Sequence, residues 1–198
     1  MNGVMKRRVI IVHGWDGTPE EGWFPWLKRE LEARNFEVIV PQMPETEAPH
    51  INAWVPALSS AVGTPDENTY LVGHSMGCQA IIRYLEKLPE EQKIGGAIFV
   101  AGFLRPLTGL TTDDEKEIGR EWTETPFNSE KVRSYLKRSV ALFSDNDPWV
   151  PVENAEEFKD KLGSEVIVEH DKGHFNEEAG FKELPIVLKK ILELSSHD

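Results

Sequence analysis

Cysteine is nearly absent from this sequence: the only one among its 198 residues is Cys78. One cysteine cannot form a disulfide within the chain, so the composition gives no indication of an oxidising compartment, and we expect a cytoplasmic protein. We interpret Cys78 itself as a small buried thiol. Long apolar runs are also missing, since none approaches the roughly 18 residues that span a bilayer. We therefore expect no membrane segment.

Basic residues are few, with 22 Lys and Arg against 34 Asp and Glu, and the formal net charge is −12. A surface this acidic repels phosphate backbones and anionic lipids, which argues against nucleic-acid and membrane-surface binding. Neither a cysteine pair nor an H-E-x-x-H motif occurs, so we expect no metal and no cofactor. Repeats, linkers and low-complexity tracts are absent. The length suits one core, so we predict a single domain over residues 1–198, as a monomer or small homo-oligomer.

Short apolar runs alternate with longer helical patterns along the chain. This alternation predicts an α/β fold with about six parallel strands and helices on both faces of the sheet. The strand-like runs are 8–12, 36–44, 69–75, 95–102, 139–147 and 164–170, and the helical patterns between and after them include 23–35, 53–62, 76–88, 152–162 and 181–194. Within 53–62, we expect Pro56 to lie in the first helical turn, where proline is tolerated.

Residues 103–137 interrupt the alternation, because they contain two polar helical segments separated by Pro126 and no buried strand. The segment follows the carboxyl end of a strand, which is where open α/β sheets bind their ligands. It is either a small cap-like insertion beside the site or a plain surface excursion.

The stretch Gly73-His74-Ser75-Met76-Gly77 fits the pattern G-x-S-x-G. By itself this pattern is weak, but here a strand precedes it and a helix follows it. On such a turn the serine hydroxyl is held above the sheet at a helix N-terminus, and the flanking glycines allow strand and helix to approach closely. The placement predicts that Ser75 is a nucleophile.

A nucleophilic serine needs a base, and the base needs an acid that orients it. In this architecture the chain order is Ser, then Asp or Glu, then His, each just after a strand. Asp147 and His174 satisfy that order. Asp145 competes with Asp147, and His170 competes with His174; we prefer Asp147 because the D-P-W-V-P context suits a loop that turns into a helix.

The oxyanion of an acyl-transfer intermediate needs two backbone N–H donors. The residue after the nucleophile, Met76, supplies one, and the loop after the first strand supplies the other, for which Trp15 is the candidate. Two further tryptophans, Trp149 and Trp122, are predicted to lie on loops near the site and to line an apolar substrate pocket. Alternatively, these tryptophans only cover the edge of the sheet.

The segments HGWDG, GHSMG, SDNDPWVP and GHFNEEAGF, in that order, resemble the small α/β-hydrolases grouped with retinoblastoma-binding protein nine, and most of all their bacterial and archaeal branch. The resemblance runs from about Arg8 to Leu192. It implies Ser75 as nucleophile, Asp147 as acid and His174 as base, in a compact α/β-hydrolase fold with a minimal cap. The L-x-C-x-E motif that gives the animal protein its name is absent.

The resemblance implies a serine esterase that cleaves small carboxylic esters through a catalytic triad and an acyl-enzyme, with a small-molecule ester or amide as substrate. A thioesterase or an amide or aminopeptidase-type hydrolase with the same triad remains an alternative. So does a catalytically weak binding protein that retains the fold.

Overall fold

A computed structural model of the protein describes residues 6–136 and 138–196. The strands are β1 (Arg8–Val12), β2 (Glu37–Ile39), β3 (Thr69–His74), β4 (Gly96–Val100), β5 (Ser139–Ser144) and β6 (Glu165–Glu169). The helices are α1 (Phe24–Glu32), α2 (Ile51–Val62), α3 (Met76–Lys87), α4 (Asp113–Glu124), α5 (Ser129–Tyr135), α6 (Asn154–Glu157) and α7 (Pro185–Ser195), and a π-helical segment, Phe158–Leu162, continues α6. The strands form one parallel sheet in the order β2-β1-β3-β4-β5-β6. The predicted α/β fold with a six-stranded parallel sheet is confirmed.

The central strands are covered on both faces, as their unbroken apolar runs predict. Every residue of β3, β4 and β5 is buried, whereas β6 at the edge is only partly covered. Alternate side chains of one strand enter different cores: Ile10 packs on the side of α2 and α3, while Val9 and Ile11 pack on the side of α1 and α7. The sheet is therefore the middle of three layers.

Helix α2 begins earlier than the sequence predicts, and this corrects the expectation for Pro56. The helix starts at Ile51, so Pro56 lies in its interior rather than in its first turn. The cause is a long-range contact, because Glu121 of α4 accepts a hydrogen bond from the Ile51 N–H at 2.9 Å and pairs with His50 Nδ1 at 2.6 Å. A carboxylate at a helix N-terminus stabilises the first turn. Here it comes from a residue 70 positions away.

Several other elements are shorter than predicted, and β2 and α7 differ clearly. Strand β2 covers only Glu37–Ile39 of the expected run 36–44, and α7 starts at Pro185 rather than at residue 181. Proline at the first helical position is favourable, because its missing N–H has no partner there in any case. Pro185 therefore defines the start of the last helix.

The insertion at 103–137 folds into α4 and α5, and its last residue, 137, lies outside the described residues. Buried Arg83 of α3 binds the insertion to the main fold. Its guanidinium donates hydrogen bonds to the carbonyls of Trp122 at 2.8 Å and Thr125 at 2.6 Å. The indole of Trp122 donates to the Pro49 carbonyl at 2.8 Å. The insertion is therefore fixed to the main fold at both α3 and the start of α2.

Within the two described stretches of chain, no helix combines the length and apolarity that crossing a membrane requires.

Candidate active site

Ser75 occupies a strained turn between β3 and α3. Its φ of 52° and ψ of −117° lie outside the regions that L residues normally adopt, and such conformations cost about 1–3 kcal/mol each. The Ser75 N–H donates to the Val100 carbonyl at 2.9 Å, which ties the turn to the neighbouring strand β4. Ser75 occupies the N-cap position of α3, but its side chain accepts no hydrogen bond from the amides of that helix. The hydroxyl is thus held at a helix N-terminus, as the sequence predicts.

The flanking glycines are required by close approach of the backbone. A Cβ on Gly77 would lie 2.2 Å from the Val12 carbonyl oxygen, and one on Gly73 would lie 2.7 Å from the Cys78 amide nitrogen. Carbon atoms do not approach backbone atoms this closely, so larger residues would push α3 away from β1. The two glycines keep the Ser75 turn next to the loop that follows β1.

Asp147 and His174 meet through a buried hydrogen bond. His174 Nδ1 lies 2.7 Å from Asp147 Oδ2, and the two side chains are 9% and 2% exposed. The other carboxylate oxygen, Oδ1, accepts the backbone N–H groups of Trp149 at 2.9 Å and Val150 at 3.0 Å. With both oxygens engaged, the carboxylate fixes the imidazole as the tautomer that donates from Nδ1, and Nε2 is left as the acceptor.

The two rival residues, Asp145 and His170, pair with each other instead. His170 Nδ1 lies 2.6 Å from Asp145 Oδ2, with side chains that are 89% and 40% exposed. The second Asp145 oxygen accepts the Asp171 N–H at 2.9 Å. This exposed pair does not line the cavity that contains Ser75.

Ser75 and His174 lie on the wall of one cavity of about 430 Å³ at the carboxyl ends of the strands. Across residues 6–136 and 138–196, the Ser75 hydroxyl has no hydrogen-bond partner, so the bond to His174 Nε2 is not formed here. Hydrogen bonds of this kind are often long in unliganded enzymes and shorten when substrate binds. The remaining lining residues are Gly14, Trp15, Asp16, Glu21, Glu47, His74, Leu107, Leu110, Asp114, Glu115, Ile118, Trp149 and Asn176.

The predicted oxyanion donors lie on the two sides of Ser75. Met76 is the first residue of α3, and Gly14 of the neighbouring loop is so close that a Cβ added to it would be 3.1 Å from Ser75 Cβ. In the described part of the chain, the N–H groups of Trp15 and Met76 donate to no other protein group. Both are therefore available to a ligand oxygen, and their role as an oxyanion hole remains a prediction.

Of the three tryptophans expected near the site, Trp15 and Trp149 line the cavity and Trp122 does not. The Trp149 ring packs edge-on against His174, with centroids 5.0 Å apart, and the Trp15 indole donates to the Glu47 carbonyl at 3.0 Å. Trp122 lies in α4 rather than on a loop and is fully buried against Trp54. The expectation that Trp122 lines the pocket is therefore corrected: this residue anchors α4.

Two buried side chains that the sequence analysis did not select hold the loop that carries His174. This loop has positive φ angles at Asp171, Gly173 and Phe175. The carbonyl of His174 accepts the His74 Nε2 N–H, and the carbonyl of Phe175 accepts the Trp23 indole N–H, each at 2.8 Å. For His74, its position next to Ser75 in the sequence was a signal that it lies near the site. For Trp23, no sequence signal was available, because its partner Phe175 is 152 positions away.

Burial keeps His74 neutral. Desolvation, followed by the nearby His174 ring, lowers the pKa of His74 to about 3. A neutral His74 that donates from Nε2 leaves Nδ1 as an acceptor, and this buried atom has no hydrogen-bond partner among the described residues. His74 thus acts as a fixed donor and does not titrate near neutral pH.

His13 is the other histidine at a strand end near the cavity, and its bonds are structural. Its Nδ1 donates to the Gly14 carbonyl at 2.8 Å, and its Nε2 accepts the Met43 N–H at 3.1 Å. Burial lowers the pKa of His13. Its neutral ring joins the loop after β1 to the segment after β2. Cys78 is fully buried, as expected for a structural thiol, and burial raises its pKa.

Several known proteins are similar to this chain in sequence. A family model described as serine hydrolase matches residues 9–193. YdeN of Bacillus subtilis (strain 168) is 35% identical over 183 residues, which cover 92% of this chain and 93% of YdeN. The serine hydrolase RBBP9 of Rattus norvegicus is 27% identical over 188 residues, which cover 93% and 95% of the two chains. The relationship therefore extends over nearly the whole length.

Solved structures agree with this relationship. The crystal structure of the B. subtilis ydeN gene product superposes with a TM-score of 0.88 at 32% identity, and the match covers 96% of this chain and 100% of that one. Est1E from Butyrivibrio proteoclasticus shares the fold, with a TM-score of 0.72 at 18% identity over 96% of this chain and 88% of Est1E. The resemblance stated from the four sequence segments is confirmed, and the chain belongs to the serine hydrolase family.

Proposed function

We propose that this serine hydrolase cleaves small carboxylic esters with Ser75 as nucleophile, His174 as general base and Asp147 as the acid that orients the base. One observation carries the proposal: the buried Asp147–His174 pair and the strained Ser75 turn meet at the same cavity. The backbone bonds to Asp147 Oδ1 add to it, because they fix the carboxylate before any substrate arrives.

The chemistry follows from these positions. His174 Nε2 takes the Ser75 proton as Oγ attacks the ester carbonyl, and Asp147 stabilises the imidazolium that forms. The N–H groups of Trp15 and Met76 bind the oxyanion, and removing one such donor typically costs about 10²–10³ in kcat. His174 then protonates the leaving alcohol, and a water activated by the same ring releases the acyl group from Ser75.

One part of the cavity wall is apolar and suits an apolar portion of a small acyl or alcohol group. Leu107, Leu110 and Ile118 come from the insertion and face the same space as Trp15 and Trp149. Apolar walls with a few polar groups at the reacting centre are typical of sites for small molecules. We propose that the insertion is a wall of this pocket within a single domain.

We also propose that the protein works in the cytoplasm without cofactor or metal, as a monomer or small homo-oligomer, and does not bind nucleic acid. The single cysteine is buried, and the net charge of −12 opposes binding to polyanions.

Labelling with a fluorophosphonate probe and hydrolysis of p-nitrophenyl esters of graded acyl length test the proposal together. Wild type should react with the probe and hydrolyse the short esters, whereas Ser75→Ala should do neither while keeping its melting temperature. Thioesters and aminoacyl amides in the same panel separate the alternative hydrolases. Folded wild type that fails to label would instead favour a catalytically weak binding protein.

A further inference from the structure

Apart from two histidines, the described titratable residues that line the catalytic cavity are all acidic. Of the lining residues, Asp16, Glu21, Glu47, Asp114 and Glu115 carry carboxylates, and within the described chain none is Lys or Arg. The chain as a whole has 22 basic residues for its 34 acidic ones, so this one-sided lining exceeds the average acidity of the protein.

The acids stand on two sides of the cavity. Asp16 and Glu21 follow β1 and Glu47 follows β2, whereas Asp114 and Glu115 lie in the first turn of α4. The insertion is held in place by buried contacts elsewhere, through Arg83 and Trp122. The fold therefore keeps two negative walls around the same space, although they repel each other.

These carboxylates have no basic partner in the described part of the chain. None of the five forms an ion pair with a described lysine, arginine or histidine. Glu115 is held in its charged form, because N–H groups of Thr112 and Thr111 lower its pKa. For Glu21, burial first and then the charges of Glu177 and Asp16 raise the pKa. The cavity is therefore lined by five acids that lack a basic partner among the described residues.

The Ser75 hydroxyl marks the position in this cavity at which the substrate carbonyl would react. The Ser75 side chain lines this cavity, the residue is only 8% exposed, and its hydroxyl has no hydrogen-bond partner in the described chain. The five acids therefore line the same cavity as the proposed nucleophile. A negative field opposes the oxyanion that forms when this nucleophile attacks, and a positive charge on the substrate would offset that cost.

We infer that the enzyme prefers esters whose acyl or alcohol part carries a cationic group, such as an ammonium, over neutral and anionic esters of the same shape. This inference rests on the proposed esterase function and adds the charge of the substrate to it. In water, a carboxylate about 8 Å from a cation gives a roughly twofold preference, so several acids acting together give about tenfold. Salt should weaken the preference, because the rim is open to solvent.

Three p-nitrophenyl esters test the inference. Each acyl chain has three methylenes and ends in trimethylammonium, in its neutral tert-butyl isostere, or in sulfonate. We expect kcat/KM, divided by the hydroxide-catalysed rate of each ester, to be about tenfold higher for the cation than for the isostere at about 20 mM ionic strength, and lower again for the sulfonate. At about 1 M salt the three values should converge.

Charge-removing variants assign the preference to the cavity wall. The double variant Glu47→Gln with Asp114→Asn should lower the ratio of cationic to neutral ester about three- to fivefold. Glu67→Gln controls for the loss of one charge elsewhere, since this exposed acid precedes β3 at the opposite end of the sheet and should leave the ratio unchanged.

The outcomes are separable. Equal kcat/KM values for all three esters, with hydrolysis that still requires Ser75, would overturn the charge preference and leave the esterase proposal intact. A preference that Glu67→Gln reduces as much as the double variant does would also overturn it, because overall charge would then be the cause. No Ser75-dependent hydrolysis of any ester would overturn both proposals.

Discussion

Two Asp–His pairs lie side by side after β5 and β6, and they differ in almost everything except bond length. Asp147–His174 spans 2.7 Å and Asp145–His170 spans 2.6 Å. The first pair is buried and its histidine lines the cavity that contains Ser75, whereas the second pair is exposed to solvent. A carboxylate–imidazole bond is therefore not by itself a catalytic feature. The Asp147–His174 pair is distinguished by a carboxylate fixed by two backbone amides and by a histidine that lines the same cavity as Ser75.

Removing the two imidazoles should give the largest contrast. His174→Ala should lower kcat/KM for p-nitrophenyl acetate by about 10⁴-fold or more, because the variant lacks the proposed base for the Ser75 proton. His170→Gln should change it less than about twofold. Steady-state kinetics on both variants, with melting temperatures recorded, measures the contrast. Comparable losses in the two variants would contradict the assignment of His174 as the base.

Changing the two carboxylates to amides should give the next largest contrast. Asp147→Asn keeps the shape but favours the wrong imidazole tautomer, so kcat should fall by about 10³–10⁴-fold with little change in KM. Asp145→Asn should leave kcat within about twofold, although it weakens an exposed hydrogen bond. The pH profile of kcat/KM for Asp147→Asn is the decisive measurement. A profile and a kcat equal to wild type would remove Asp147 from the mechanism.

Removing the hydrogen bond from His74 to the loop that carries His174 should lower kcat by an intermediate amount. His74→Leu removes the donor to the His174 carbonyl, and a displaced base lowers kcat by about 10–100-fold while KM changes little. Leaving that carbonyl without a donor should also cost about 1–3 kcal/mol of unfolding free energy.

A conservative variant separates positioning from packing. His74→Gln can still donate a hydrogen bond, so it should recover much of kcat relative to His74→Leu. The acidic limb of the pH profile gives a second readout, because a misplaced His174 changes it and a loss of packing does not. Equal kcat values for the Gln and Leu variants would show that the hydrogen bond is not what matters.

The smallest expected effect is the contribution of the exposed pair to stability. The hydrogen bond between His170 and Asp145 raises the pKa of His170 above 6.5. Hydrogen bonds from the Asp171 N–H and from His170 lower the pKa of Asp145 below 3.8. The raised histidine stabilises the fold fully below about pH 6.5 and loses this effect as the pH rises through its folded pKa. The lowered carboxyl contributes above about pH 4 and loses its contribution in stronger acid.

The melting temperature of His170→Gln should therefore fall furthest below that of wild type between about pH 4 and pH 6.5. The difference should shrink as the pH rises to about 9. A difference that grows toward alkaline pH would contradict this sign.

The sequence was most informative where local chemistry determines structure. The Gly73 to Gly77 pattern predicted the turn because any Cβ on Gly77 would collide with β1, a constraint that belongs to the pattern itself. The order of Ser75, Asp147 and His174 predicted that these residues lie near each other, because parallel strands end at the same edge. In the structure Ser75 and His174 line one cavity and Asp147 pairs with His174, while the roles of the three residues stay a prediction.

Features made by distant contacts were not predictable in this way. Glu121 starts α2 from another helix, and Trp122 has a helical position that no short motif reveals. The acidic lining is assembled from separate segments, so no single stretch of the sequence displays it. Each of these depends on how the insertion packs against the sheet.

The burial of Cys78 has a practical consequence. Its thiol lies between α3 and β4, close to the Val100 carbonyl, and is reached by solvent only when those elements separate. The rate of maleimide coupling to the native protein would therefore report how often α3 separates from β4, as amide exchange does for backbone groups. A cysteine engineered at the surface would accept a fluorophore much faster than Cys78 does, because it does not depend on that separation.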